Sequence, residues 1–149
     1  MLQSRFVQLR SKLHVFIQFG TILFILLSGP KVIIDYLGII ELFGVILGLW
    51  SIFVMRKSAL TFFPIPSERI TLIKSGPYGL IRHPMYLALF LVLIPLVIEK
   101  PTMIRIAILV VFTINQLLKM YFEEDLLRMK VPEYDLYRSK TKRLIPYIF

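Results

Sequence analysis

Two groups of residues in this chain have the types and spacing for chemistry. The first is Gly76-Pro77-Tyr78-Gly79-Leu80-Ile81-Arg82-His83-Pro84-Met85-Tyr86. It is a polar island between long apolar runs, and it holds one of the two histidines, beside an arginine. Histidine changes charge near neutral pH, so it is the natural donor and acceptor of such a stretch. The two prolines and two glycines fix its backbone path. The second group is Asn115, Lys119 and Glu123, spaced i, i+4 and i+8 on one helix face, with Gln116 and Glu124 beside them. Polar side chains in an apolar helix normally face a bundle interior or a cavity. The plainer alternative is a lysine that snorkels to the interface and pairs with Glu123.

Composition narrows the chemistry. The chain has no cysteine, so disulfides, thiol nucleophiles and thiolate metal sites are excluded. Two histidines far apart in sequence make no metal site expected. Hydrophobic residues make up 57% of 149 residues, and they lie in blocks, the pattern of an integral membrane protein. The net charge of +9 flanks these blocks, so membrane lipids, not nucleic acid, are its expected partners. Nothing in the sequence implies a protein partner.

The expected fold is all-α: a membrane bundle of about four transmembrane helices and a short C-terminal interfacial helix. Leu13 to Ser28 is the first span, ended by Gly29-Pro30. A cleaved signal peptide fits less well, because Ser28-Gly29-Pro30 is a poor cleavage site. Val32 to Met55 is the second span, and Ser58 to Arg82 a polar connection. Pro84 suits the first turn of a third helix running to about Ile98, with a kink expected at Pro95. A fourth helix runs from about Thr102 past Phe122 toward Arg128. Pro132 opens the last helix, and Leu144 to Phe149 lies back on the membrane surface. The whole forms one domain, with 1–57 an N-terminal hairpin and 58–149 the part that carries the chemistry.

Three basic residues precede the first span, five lie in 56–82 and seven lie from Lys119 onward, fifteen of eighteen in all. With four spans these share one side, which the positive-inside rule makes cytoplasmic, with both termini. The two polar groups therefore meet at that face.

The residues then carry a resemblance. Ser75-Gly76-Pro77-Tyr78 and Arg82-His83-Pro84-Met85-Tyr86 precede an apolar hairpin; Glu123-Glu124-Asp125-Leu126-Leu127, Pro132-Glu133-Tyr134-Asp135-Leu136-Tyr137 and Arg143-Leu144-Ile145-Pro146 follow it. This order, over about Ile70 to Phe149, resembles the isoprenylcysteine carboxyl methyltransferase family and its phospholipid methyltransferase relatives. The resemblance implies a membrane methyltransferase that takes S-adenosylmethionine at the cytoplasmic face. It implies cofactor contacts at Thr71, Leu72, Ile73, Tyr78, Arg82, His83, Pro84, Met85, Tyr86 and Glu123. Lys119 stands where the family has an arginine facing the acceptor, and Gly79 and Val131 also depart from the usual pattern.

Tyrosine faces and a carboxylate suit a cationic sulfonium. Methyl transfer to a carboxylate needs alignment and exclusion of water more than a strong base. Lys119 and Arg143 are expected to orient such an acceptor, with Glu124 anchored through Arg128 at i+4. An amine acceptor would instead make Glu124 the candidate base. The expected acceptor is lipid-like, first a prenylated carboxylate of the isoprenylcysteine kind and second an amine of the phosphatidylethanolamine kind. Two other readings stay open: a sterol-reductase-like enzyme using NADPH, and a non-catalytic protein whose basic loops bind anionic lipid.

Overall fold

A computed structural model describes residues 2–29, 36–56, 72–146 and 148, with side chains from Arg5 onward. Among these residues it holds five α-helices: α1 (Leu2–Ser28), α2 (Tyr36–Met55), α3 (Pro84–Glu99), α4 (Met103–Lys130) and α5 (Tyr134–Lys140). A single 3-10 turn, Gly76–Gly79, precedes α3. Among the described residues there is no strand, only one isolated bridge between Ile81 and Lys142.

α1 starts well before Leu13, because residues 2–12 contain no glycine or proline and are rich in good helix formers. α3 opens on Pro84, whose missing N–H is unpaired at that position anyway. α4 is capped by Thr102, whose hydroxyl accepts from the Arg105 N–H at 3.3 Å. Pro132 lies in the turn ahead of α5, not at its first position, and the helix begins at Tyr134. α1, α2 and α4 are long and apolar enough to cross a membrane, whereas α3 has 16 residues and falls short of the roughly 20 a span needs.

The helices alternate in direction. Arg10 near the start of α1 stacks on Phe122 near the end of α4, and Ile25 and Ser28 near the end of α1 accept from Arg105 near the start of α4. Tyr86 at the start of α3 meets Glu123 late in α4, and Leu96 near its end meets Arg105. α2 runs against α3, with Gly44 pressed on Ala88 and Leu91. A Cβ at Gly44 would sit 3.0 Å from the Ala88 carbonyl oxygen, so only glycine permits this approach. The last turn of α2 packs on Gly76, which adopts a positive φ of 59°.

The core is thin and the apolar surface large. Ile25, Leu93, Leu96, Val97 and Phe112 form one buried cluster, and Tyr86, Met120 and Leu144 another. Outside them Phe16, Leu27, Ile39, Leu49 and Ile104 lie exposed along α1, α2 and α4. An apolar exterior over a partly polar interior is the arrangement a bilayer demands. Leu144 is buried against Tyr86 and Met120, so the C-terminal segment begins inside the bundle and not on its surface.

Candidate functional site

The site forms at the end of the bundle shared by the start of α3 and the late turns of α4. Two backbone pairings build it. The Arg82 N–H donates to the Lys142 carbonyl at 2.7 Å, and the His83 N–H to the Arg143 carbonyl at 3.0 Å. These bonds bring Arg143, sixty residues downstream, against the loop ahead of α3. The Tyr137 hydroxyl donates to the Tyr78 carbonyl at 2.7 Å and ties α5 to the 3-10 turn. Burial pushes the Tyr137 phenol up to about 12, so it stays neutral and a donor.

Glu124 is the centre of this assembly, with its side chain 3% exposed. Its Oε1 accepts from Arg82 Nε at 2.9 Å and lies 3.3 Å from His83 Nε2. Its Oε2 accepts from Arg143 Nη2 at 3.1 Å and from Arg143 Nε at 3.2 Å. Arg82 also donates to the carbonyls of Arg138 and Thr141. Burial opposes the charge on Arg143, but the bonds and charge of Glu124 outweigh it and hold its pKa above the ordinary value. The expected Glu124–Arg128 pair does not form: Arg128 bonds Asp135 at 3.1 Å. Three other groups already fill the Glu124 carboxylate, and the turn at Val131–Glu133 delivers Asp135 to Arg128.

Glu123 faces another way and is 21% exposed. It accepts from the Tyr86 hydroxyl at 2.5 Å and lies 3.7 Å from His83 Nδ1, too far for a strong hydrogen bond. The His83 and Tyr86 rings stack with centroids 5.2 Å apart. Tyr78 is buried, and its hydroxyl has no hydrogen-bond partner among the described residues. Burial, then the charges of Tyr137 and Glu123, push its pKa well above the ordinary tyrosine value. Two tyrosines, one histidine and one partly open carboxylate thus share a corner.

Lys119 adjoins this corner. It is 4% exposed, so it does not snorkel to the surface. Its Nζ donates to Gln18 Oε1 at 2.7 Å and lies 5.0 Å from the Tyr86 ring centroid. One turn earlier on α4, Asn115 donates to the His14 carbonyl at 3.0 Å and accepts from His14 Nδ1 at 2.8 Å. Gln116 is fully buried, with both amide atoms unpartnered among the described residues.

The sequence placed most of these residues in one site, and the structure brings Tyr78, Arg82, His83, Pro84, Tyr86, Lys119, Glu123, Glu124 and Arg143 together. Met85 is half-buried beside them, and Leu72 and Ile73 are half-buried in the irregular run before the 3-10 turn. Thr71 lies outside the described residues. Sequence reasoning missed the part of α1. Ser11, His14, Gln18 and Thr21 are all buried, and their spacing puts them on one helix face. That periodicity was visible in the sequence, but its match to Asn115 and Lys119 requires knowing that α1 packs on α4.

Glu123 with the faces of Tyr86 and His83 and the unpartnered Tyr78 hydroxyl fits a ligand that is cationic and carries polar groups. No curated protein and no solved structure matches the chain. A family model described as phospholipid methyltransferase matches residues 34–132, about two thirds of the chain, from the edge of α2 to the turn after α4. With the helical bundle and the lipid-facing exterior around that segment, the chain belongs to the phospholipid methyltransferase family of membrane methyltransferases.

Proposed function

We propose that this protein methylates a carboxylate on a lipid-like acceptor of the isoprenylcysteine kind, with S-adenosylmethionine as donor. The observation that carries this reading is Lys119. It is a buried ammonium with no carboxylate at ion-pair distance among the described residues, only the Gln18 amide and the Tyr86 face. A buried cation without a close ion-pair partner is costly, and an incoming carboxylate supplies one. A cationic amine would be repelled there.

The roles of the chain's own groups follow from their contacts. S-adenosylmethionine, when bound, supplies an electrophilic methyl group. Glu123, Tyr86, His83 and Tyr78 would hold it by charge, ring faces and a hydroxyl unpartnered among the described residues. Lys119, steadied by Gln18, orients the acceptor carboxylate. Glu124 has both oxygens occupied by Arg82, His83 and Arg143, so it holds the loop and C-terminal segment in place and is not free as a base. The apolar walls exclude water, and a desolvated carboxylate needs no base to act as nucleophile. By charge asymmetry this end of the bundle, with both termini, lies on the cytoplasmic side of a multi-pass protein.

The second reading is N-methylation of a phosphatidylethanolamine-type headgroup, favoured by the description of the matching family. The detergent-purified protein is titrated calorimetrically with S-adenosylhomocysteine and NADPH, then given labelled cofactor with prenylated cysteine and with phosphatidylethanolamine. Binding of S-adenosylhomocysteine and labelling of the prenylated cysteine are expected. Labelling of phosphatidylethanolamine alone would replace the acceptor assigned here, and binding of NADPH in place of S-adenosylhomocysteine would overturn the whole reading.

A further inference from the structure

Beside Glu124, four cations converge. Arg82, Arg138, Lys142 and Arg143 line a concavity of about 190 Å3, with Ile148 on its rim. None of Tyr78, Tyr86, Lys119 or Glu123 borders it. Arg82 and Arg143 share the one carboxylate of Glu124. The side chains of Arg138 and Lys142 have no hydrogen-bond or ion-pair partner among the described residues, so these two positive charges are not paired there.

Gathering like charges this closely costs free energy unless an anion joins them. The backbone enforces the gathering. The Arg82 and His83 N–H groups donate to the Lys142 and Arg143 carbonyls, and the Arg82 guanidinium donates to the Arg138 carbonyl at 3.3 Å. The backbone positions from which the four side chains project are therefore fixed by the fold. Arginine forks and a lysine around a small concavity match the oxygens of a phosphate. The surroundings match a lipid better than a soluble anion. Ile148 and Ile145 are exposed beside the cations, and Leu144 of the same segment is buried against Tyr86 and Met120. A ligand with a phosphate and an adjoining apolar chain would cover both kinds of surface.

We propose that this pocket binds the phosphate group of an anionic phospholipid from the adjoining leaflet, beside the methyl-transfer corner and sharing Arg82 and Arg143 with the assembly around Glu124. The bound headgroup balances the cations and fastens the Lys142–Leu144 segment to the loop before α3. It is a binding site in its own right and does not depend on which acceptor is methylated.

The test uses the full chain in detergent micelles. Binding and melting temperature are measured with phosphatidylglycerol, with phosphatidylcholine and with inorganic phosphate. Phosphatidylglycerol is expected to bind and raise the melting temperature, and phosphatidylcholine to do neither. The double variant Arg138→Gln/Lys142→Gln is expected to lose about 30-fold in phosphatidylglycerol affinity, roughly fivefold per removed cation. Arg138→Lys should retain most of it, which separates charge from shape. Affinity for S-adenosylhomocysteine should be unchanged in every variant. Equal binding of the two lipids, or full binding by the double variant, would overturn the site. Loss of S-adenosylhomocysteine binding in the double variant would assign the pocket to the cofactor instead. Inorganic phosphate binding more tightly than the lipid would assign it to a soluble anion.

Discussion

Glu123 and Glu124 are neighbours in sequence and opposites in the structure. Glu124 is sealed, with Arg82, His83 and Arg143 around both of its oxygens. Glu123 keeps an open edge, with the Tyr86 hydroxyl on one oxygen and His83 at a distance from the other. The helical rotation of about 100° between adjacent residues turns one carboxylate into the packing and the other toward the tyrosine corner. A saturated buried carboxylate holds structure, whereas a partly open one is free to meet a ligand. His83 stands between them and links the scaffold to the corner.

The sharpest way to break this contrast is Glu124→Gln. It would leave Arg82 and Arg143 without their counter-charge, and stability should fall by about 3–5 kcal/mol. Thermal unfolding in detergent measures it, and a loss below about 1 kcal/mol would show that Glu124 is no scaffold. Glu123→Gln should cost little stability but weaken S-adenosylhomocysteine binding by about tenfold or more, read by calorimetry. If the two variants behaved alike, the distinction drawn here would fail.

The acceptor side yields a gentler test. Lys119→Met should raise KM for a carboxylate acceptor by about tenfold while cofactor affinity stays level, and Lys119→Arg should retain activity. Gln18→Leu should move the same KM by a smaller factor, since it removes only the group that steadies Lys119. A rise in cofactor dissociation constant for either residue would place the lysine in the wrong half of the site.

The smallest expected effect is at Tyr137, whose bond to the Tyr78 carbonyl should be worth about 1 kcal/mol. Its pKa rises from the ordinary 10.0 to about 12 in the fold. The folded state therefore keeps the proton longer than the unfolded chain. This contribution is complete below pH 10 and disappears as the pH rises through about 12. Tyr137→Phe should flatten that part of the alkaline stability profile, and an unchanged profile would remove Tyr137 as the group that titrates.

Much of the site was legible because its parts are local. Gly76 to Tyr86 is one short stretch, and Lys119, Glu123 and Glu124 share a helix. The end of α3 and the start of α4 were also readable, expected at about Ile98 and Thr102 and found at Glu99 and Met103. Long-range choices were not. The partner of Glu124 was expected one helical turn away at Arg128, but Arg82 and His83 from the loop before α3 and Arg143 from the C-terminal segment take its place. Arg105 is one of the three basic residues left on the opposite side in the charge count. It is 1% exposed and ties the ends of α1 and α3 to α4 through Ile25, Ser28 and Leu96.

The sequence by itself determined that the chain is helical and lipid-embedded, because block hydrophobicity leaves the backbone no other way to satisfy its polar groups in a bilayer. It determined too which loop and which helix carry the reactive types, because periodicity and proline placement are local properties. Only the tertiary structure decided which carboxylate is sealed and which is open. It also decided that Lys119 takes its partner from α1 and that Arg143 returns beside Arg82. Those outcomes depend on helix rotation and on backbone pairing across some sixty residues, and no local pattern encodes either.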